Sequence, residues 1–288
     1  MTDKIAVSVV IPVCNEEANL AECIERLGAF DEVIVVDSGS TDATCQIAAD
    51  FGARIIQFHW NGRYPKKRNW VLLHQQLRNN WVLFLDADEL VTKEFCEQAR
   101  QAVKDDQFDG FWLRYTNHFL GRPLKHGDPQ RKLALFRVAR GLYEMIDEDA
   151  WSALDMEVHE HPVINGTVGE ITAPIDHRDD RGIAKFIDRH KDYALWEAQR
   201  TLQLRNSGPD IWNQLTERQR SKYRSIHKWW FAWAYFLWTF FAKRGFMDGL
   251  AGFSYAFYKS WYFWTIRLLL VEKSNLIPTR IDQGPRRH

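Results

Sequence analysis

The polar and apolar positions of the first hundred residues alternate between two periods. Ile5 to Val13 (IAVSVVIPV) is a β-branched run, which predicts a first strand. Glu32 to Val36 (EVIVV), the shorter Ala53 to Phe58 (ARIIQF) and Trp81 to Leu85 (WVLFL) read the same way. Between them, Ala18 to Leu27 and the stretch from Ala43 place apolar residues at helical spacing. Strand, helix, strand, helix predicts a parallel α/β sheet. From Phe108 to Phe136 short strands mix with loops, and Gly121-Arg122-Pro123 marks a turn. Ile171 to Ile175 reads as a later strand. Residues 180–225 follow a 3.6 period through Ile183, Phe186, Ile187, His190, Tyr193, Ala194 and Glu197, broken at Asn206-Ser207-Gly208-Pro209.

The strands end in chemistry. Asp86, Asp88 and Glu89 stop the apolar run LFLDADE where a parallel strand would reach the carboxyl edge of its sheet, the edge at which open α/β sheets bind ligands. In extended backbone Asp86 and Asp88 share a face, and two hard oxygen donors suit Mg²⁺ or Mn²⁺ held partly by substrate phosphates. Taken alone, Asp-Ala-Asp reads as a solvated turn. The second strand ends in Asp37, followed by Ser38-Gly39-Ser40-Thr41-Asp42 and a helix, which is a nucleotide-site layout. Asn15 is expected to cap the first helix, with Glu16 and Glu17 in its first turn, and Asp42 to cap the second. GRYPKKRN, Gly62 to Asn69, brings four cations to a loop entering a helix, and a diphosphate contact is favoured over a solvated face.

Composition narrows this further. Lys plus Arg and Asp plus Glu number 38 each, so overall charge gives no argument for nucleic acid. Cys14, Cys23, Cys45 and Cys96 lack zinc or redox spacing and are expected as free thiols of a reducing cytosol. The N-terminus lacks signal-peptide character, because Asp3 and Lys4 precede a run that is interrupted by Ser8 and ended by Pro12. Tryptophan is abundant, at 13 residues. It crowds the uncharged run Trp229 to Ala242 (WWFAWAYFLWTFFA), shorter than the ~20 residues needed to span a bilayer. Arg220, Lys222, Arg224 and Lys228 precede it, Lys243 and Arg244 follow, and Phe253 to Val271 is a second aromatic stretch. Aromatics beside cations favour contact with a membrane surface over a buried helical pair or a dimer interface.

Together VSVVIPVCNEE, VIVVDSGSTDAT, the KKRN loop and FLDADE resemble, in order and spacing, family 2 glycosyltransferases with the GT-A fold. The resemblance implies a nucleotide-sugar donor, most often a UDP-sugar, and a divalent metal. Carried over by position, Pro12, Asn15 and Glu16 would line the nucleoside pocket, with Asp37 and its neighbour Ser38 at the base. Lys67, Arg68 and Asn69 would lie near the diphosphate or base-binding loop, Asp86 would contact ribose or sugar, and Asp88 would bind metal. DMEVHEH, Asp155 to His161, and His177 further resemble bacterial lipopolysaccharide-core glucosyltransferases of that family, through Tyr193-Ala194 to GFMDGLAGF near Gly245. Ala134 departs from that subgroup, where Arg is frequent. By the same resemblance Glu160 is the expected general base with Glu157 in reserve, and His161 and His177 are candidate third metal ligands.

The expectation is thus a Rossmann-like GT-A domain with a mostly parallel sheet over residues 1–177. A helical region, 178–288, follows, with membrane-docking segments near 226–271. The expected reaction is inverting transfer of a sugar, glucose by preference, from a UDP-sugar to a lipid-linked glycan, the lipopolysaccharide inner core. It would take place peripherally at the cytoplasmic face of the bacterial inner membrane. The alternatives are a polyprenyl-phosphate glycosyltransferase and a non-catalytic scaffold of the same fold. Oligomeric state is not indicated.

Overall fold

The computed structural model describes residues 3–146, 148, 151, 155, 160–179 and 181–276. The backbone divides into two compact units, one of residues 1–123 with 129–179, the other of 124–128 with 180–288.

The first unit is α/β. Its strands are β1 (Ile5–Val13), β2 (Phe30–Asp37), β3 (Arg54–Gln57), β4 (Trp81–Phe84), β5 (Glu89–Leu90) and β6 (Gly110–Phe119). Five more follow: β7 (Arg122–Pro123), β8 (Arg131–Arg137), β9 (Gly141–Tyr143), β10 (Pro162–Ile164) and β11 (Val168–His177). The helices are α1 (Leu20–Arg26), α2 (Thr44–Asp50), α3 (Lys67–His74) and α4 (Lys93–Ala102). Among the described residues nine strands form one sheet in the order β3-β2-β1-β4-β8-β6-β11-β5, with β7 beside β6, while β9 and β10 pair separately. The first four in that order are parallel, as the alternating pattern predicted. Strand β8 runs antiparallel between β4 and β6.

The apolar runs are continuous because the sheet is covered on both faces. Val7, Val9, Ile11 and Val13 of β1 enter one core with Leu20 and Ile24 of α1, whereas Val10 enters another with Val36, Val71 and Phe84. Ser8, which interrupts the run, is fully buried and donates to Glu32 Oε2 at 2.5 Å.

Local expectations are corrected at three places. Helix α1 begins at Leu20 rather than Ala18, and Asn15 is not its cap. With φ of 56° Asn15 occupies the left-handed region rather than the extended backbone an N-cap needs, and its side chain accepts from Thr41 N at 2.8 Å. Helix α3 starts at Lys67, so Lys67, Arg68 and Asn69 form its first turn and are not loop residues. Asp86 and Asp88 do not share an extended face. The amide of Glu89 donates to the carbonyl of Asp86 at 3.0 Å, closing a tight turn between β4 and β5.

The second unit is helical: α5 (Gly182–Asn206), α6 (Pro209–Gln214), α7 (Glu217–Ser225), α8 (Phe231–Leu237) and α9 (Gly249–Leu276), with a wide turn at 238–242 and a short 3₁₀ turn, Gly245–Asp248, between the last two. Ala194 and Ala198 of α5 meet Tyr262, Ile266 and Leu270 of α9 and Ile226 in its core. Segment 124–128 is tied in by its polar groups: Asp248 accepts from the amide of His126 at 2.8 Å, and Tyr235 Oη donates to Asp128 at 2.9 Å. No helix among the described residues is long and apolar enough to cross a membrane. The four cysteines are free thiols.

Candidate active site

The site is assembled where β1, β2 and β4 end. Register sets these ends side by side, since Val13 pairs with Asp37 and Val10 with Phe84. Pro12 is buried opposite Val36 on the last turn of the strand pair.

Asp37 is buried and organises its own loop. Its carboxylate accepts from Gly39 N at 3.1 Å, Ser40 N at 3.1 Å and Ser40 Oγ. Gly39 permits this return with φ of 79°. Burial pushes the Asp37 carboxyl up, yet the Ser40 hydroxyl and amide outweigh it and hold the group below the usual carboxylate range. Ser40 in turn accepts from Asn15 N at 2.8 Å, and Thr44 Oγ1 accepts from Glu16 N at 2.8 Å, so the β1 and β2 loops are sewn together. Glu16 Oε2 accepts from Asn19 at 2.9 Å. Asp42 takes up the amide of Thr44 at 3.0 Å at the start of α2, as expected of a helix-end acid, although Ala43 rather than Asp42 stands at the cap.

The first turn of α3 distributes three functions. Lys67 is buried, donates to Val13 O at 3.3 Å and pairs with Asp155 at 3.2 Å. Ser38 Oγ donates to the same Asp155 carboxylate at 2.6 Å. Arg68 pairs with Asp86 Oδ1 at 2.8 Å, and its guanidinium lies 5.4 Å from the Tyr143 ring. Asn69 makes a two-way bond with the Tyr143 main chain, donating to its carbonyl at 3.0 Å and accepting from its amide at 2.8 Å. Its amide group therefore anchors β9 to α3.

Asp86 holds a second cation that sequence reading missed. Lys132 Nζ pairs with Asp86 Oδ2 at 2.9 Å and makes a shorter contact with buried Glu89. Burial works against the charge on Asp86, but Lys132 and Arg68 outweigh it and hold the carboxyl well below its usual range. For Glu89 burial prevails over Lys132, and its carboxyl is raised. The missed signal was register: Leu83 pairs with Leu135 in antiparallel β4–β8, and the same register extended three residues sets Asp86 level with Lys132.

Asp88 meets His177 although 89 residues separate them in sequence. Strand β5 pairs antiparallel with the end of β11, His177 opposite Glu89, and Arg178 N donates to Asp88 O at 2.9 Å. The His177 Nε2 lies 3.6 Å from Asp88 Oδ1, while Nδ1 donates to Asn117 Oδ1 at 3.1 Å. Burial opposes charging the imidazole, but Asp88 overrides it and raises the group. With Nδ1 engaged by Asn117, Nε2 is the nitrogen turned to the carboxylate, the arrangement of a metal-ligating histidine with its outer partner. The Asp88 carboxylate is a hard donor that fits Mg²⁺ or Mn²⁺ completed by phosphate and water oxygens, and the His177 imidazole would add a nitrogen donor better suited to Mn²⁺ than to Mg²⁺. Among the described residues no three His, Cys, Asp or Glu side chains converge as a metal site. His161 is exposed and stands just before β10, where its carbonyl accepts from Glu144 N at 3.0 Å.

Glu160 is buried, its carboxylate 2.8 Å from Lys66 Nζ, and Lys66 also contacts buried Glu148. Lys66 is the N-cap residue of α3. Nothing in a sequence separation of 94 residues announces that pairing. Glu157 lies outside the described residues.

The sequence of this site belongs to a known family. The model for "Glycosyl transferase family 2" matches residues 8–156, more than half of the chain. The chain belongs to glycosyl transferase family 2. Its α/β unit, parallel over β3-β2-β1-β4, is the GT-A architecture expected from the motifs. Among curated relatives, the lipopolysaccharide core biosynthesis glycosyltransferase LpsC of Rhizobium meliloti is 30% identical over 177 residues, 59% of this chain and 61% of its own length. An uncharacterized glycosyltransferase of Rickettsia felis is 26% identical over 86% of this chain and 83% of its own. Glucosyl-3-phosphoglycerate synthase from Mycobacterium tuberculosis, solved with Mn²⁺, UDP and glucosyl-3-phosphoglycerate, is 27% identical over 39% of this chain and 44% of its own, with a TM-score of 0.32.

Proposed function

We propose that this family 2 enzyme moves a sugar, glucose by preference, from a UDP-sugar to a hydroxyl of a lipid-linked glycan of the lipopolysaccharide-core class, with inversion, at the cytoplasmic face of a membrane. The observation that carries the reading is the grouping of Asp37, Arg68, Asp86, Lys132, Asp88 and His177 at the adjoining ends of β1, β2, β4 and β11. The similarity to LpsC supports the acceptor class.

In this reading Pro12, Asn15, Glu16, Asp37 and Ser38 receive the nucleoside, with Asp37 and Ser40 already holding their loop in shape. Asp86 accepts from ribose or sugar hydroxyls while keeping one of its two cations. Arg68 and Lys132 add positive charge beside the diphosphate, and Lys67 fixes the strand tip beneath it. Asp88 and His177 would hold Mg²⁺ or Mn²⁺, which when bound neutralises charge on the departing UDP. Glu160 accepts the proton of the attacking hydroxyl, for which its carboxylate must exchange Lys66 for the acceptor. Glu157 is the reserve base, and His161 a further ligand only if the β9–β10 ladder moves toward Asp88.

The test is incubation of purified protein with radiolabelled UDP-sugars and membrane extract, followed by identification of the labelled lipid. Label in an acid-stable, lipid-linked glycan supports the reading. Label in a lipid-phosphate sugar released by mild acid would mean a polyprenyl-phosphate acceptor, which is already an anion and needs no base. Absence of UDP binding would mean a scaffold.

A further inference from the structure

In the helical unit, three cations gather without a carboxylate partner among the described residues. Arg220 and Arg224 are four residues apart on α7, and Lys228 continues the row in the turn that follows, where its amide donates to Ser225 O at 2.9 Å. Residues at this spacing stack along one side of a helix. With Ser221, Ser225 and Glu217 they line an open cavity of about 470 Å³, three cations to one carboxylate. None of the three cations forms an ion pair among the described residues. Lys222 on the same helix does, at 2.7 Å from buried Glu197. Like charges at this spacing repel and destabilise the helix, and an anion seated among the three cations would relieve that repulsion.

What the row leads into identifies the anion. Lys228 Nζ lies 5.4 Å from the Trp230 ring, and the chain continues directly into large apolar residues turned to solvent. Trp229 is 65% exposed, Trp233 59% and Trp238 58%, while Leu250 at the start of α9 is 73% exposed. Lys243 Nζ repeats the first motif, 5.4 Å from the Trp238 ring. Exposed apolar surface of this extent marks an interaction site. Indole rings with cations stacked on them are the side chains that settle at the headgroup layer, apolar body inward and charge toward phosphate.

We propose that Arg220, Arg224 and Lys228 form a phosphate-headgroup site by which this unit docks on an anionic lipid bilayer, with Trp229, Trp233 and Trp238 entering the headgroup layer. The proposal deepens the lipid-linked acceptor reading and rests on it for its setting, but vesicle binding is measured without sugar transfer, so either can fail alone.

The experiment is sedimentation of the full chain with vesicles of phosphatidylcholine, alone or mixed equally with phosphatidylglycerol, for wild type and for Arg220→Ala combined with Arg224→Ala. Wild type is expected on the mixed vesicles only, and the double variant should bind them roughly 30-fold more weakly, as two cations are lost near an anionic surface. A Trp229→Ser, Trp233→Ser variant should lose the binding that survives in high salt. Unchanged binding by the arginine variant, or no wild-type binding to mixed vesicles, would overturn the proposal. Release from vesicles by millimolar inorganic phosphate would instead assign the cavity to a soluble anion. A dimer that dissociates on the tryptophan changes, without vesicle binding, would make this face a self-association surface. UDP affinity, measured on the same preparations, should be equal in all variants.

Discussion

The two units treat charge and apolar surface in opposite ways. In the α/β unit, Lys66, Lys67, Arg68 and Lys132 each face a carboxylate, and the large apolar side chains fill the cores on either side of the sheet. In the helical unit Arg220, Arg224 and Lys228 have no such partner among the described residues, while Trp229, Trp233 and Trp238 face solvent. Paired buried charge is held rigid for a ligand whose geometry is exacting, because breaking a buried pair is far costlier than keeping it. Unpaired charge beside exposed aromatic rings suits a surface that is broad, mobile and wet. On the proposed reading, the contrast separates a donor site fitted to one phosphate geometry from a lipid-facing surface fitted to many.

The sharpest way to break the comparison is to remove a carboxylate from the first unit. Asp88→Ala takes away the partner of His177 and the proposed metal ligand, and transfer should fall roughly 1000-fold in a steady-state assay, with the fold intact by circular dichroism. Next is Lys66→Met, which leaves buried Glu148 and Glu160 without that ammonium. Urea unfolding should show a loss of about 3–5 kcal/mol, part of which Glu160→Gln should restore in the double variant. A loss below ~1 kcal/mol would mean that the pair behaves like surface charge. Glu160→Gln alone should lower turnover roughly 100-fold with donor affinity unchanged. Near-normal turnover there, with loss in Glu157→Gln, would move the base.

Smaller effects sharpen the picture. Asn69→Ala removes two bonds to the Tyr143 main chain, and each buried group left without a partner costs about 1–3 kcal/mol, read by thermal unfolding. Asp37 gives the least. Its folded value lies below its unfolded one, so its contribution to stability is present above about pH 4 and is lost as pH falls through the folded value. Below about pH 4 the wild-type urea midpoint should therefore fall more steeply than that of Asp37→Asn.

Much of this was legible in the chain, and the reasons are local. The β-branched runs of β1 and β2 and the apolar run of β4 specified those strands, and their polar ends marked the sheet edge, because a parallel strand buried on both faces is apolar along most of its length; the buried Ser8 is the exception, bonded to Glu32. What stayed hidden depended on register and long-range pairing. Lys132 reaches Asp86 only through the antiparallel insertion of β8, and His177 reaches Asp88 only through a two-residue strand, β5. Asn15 looked like a cap and became a cross-loop clamp, since its left-handed backbone turns the amide toward Thr41. Asn69, which the resemblance places near the diphosphate or the base-binding loop, bonds the Tyr143 backbone, a pairing that its place in the sequence does not announce. In the helical unit, composition foresaw aromatics beside cations, but only the structure shows that Lys222 is paired while Arg220, Arg224 and Lys228 form no ion pair among the described residues.

Asp88, turned toward His177 at the sheet edge, is proposed to bind UDP through a divalent ion. Calorimetric titration of UDP into wild type and Asp88→Ala, each with and without Mn²⁺, tests it most directly. Mn²⁺-enhanced binding is expected of wild type, and a weak, Mn²⁺-independent remainder of the variant. Equal, Mn²⁺-dependent binding by both proteins would contradict it.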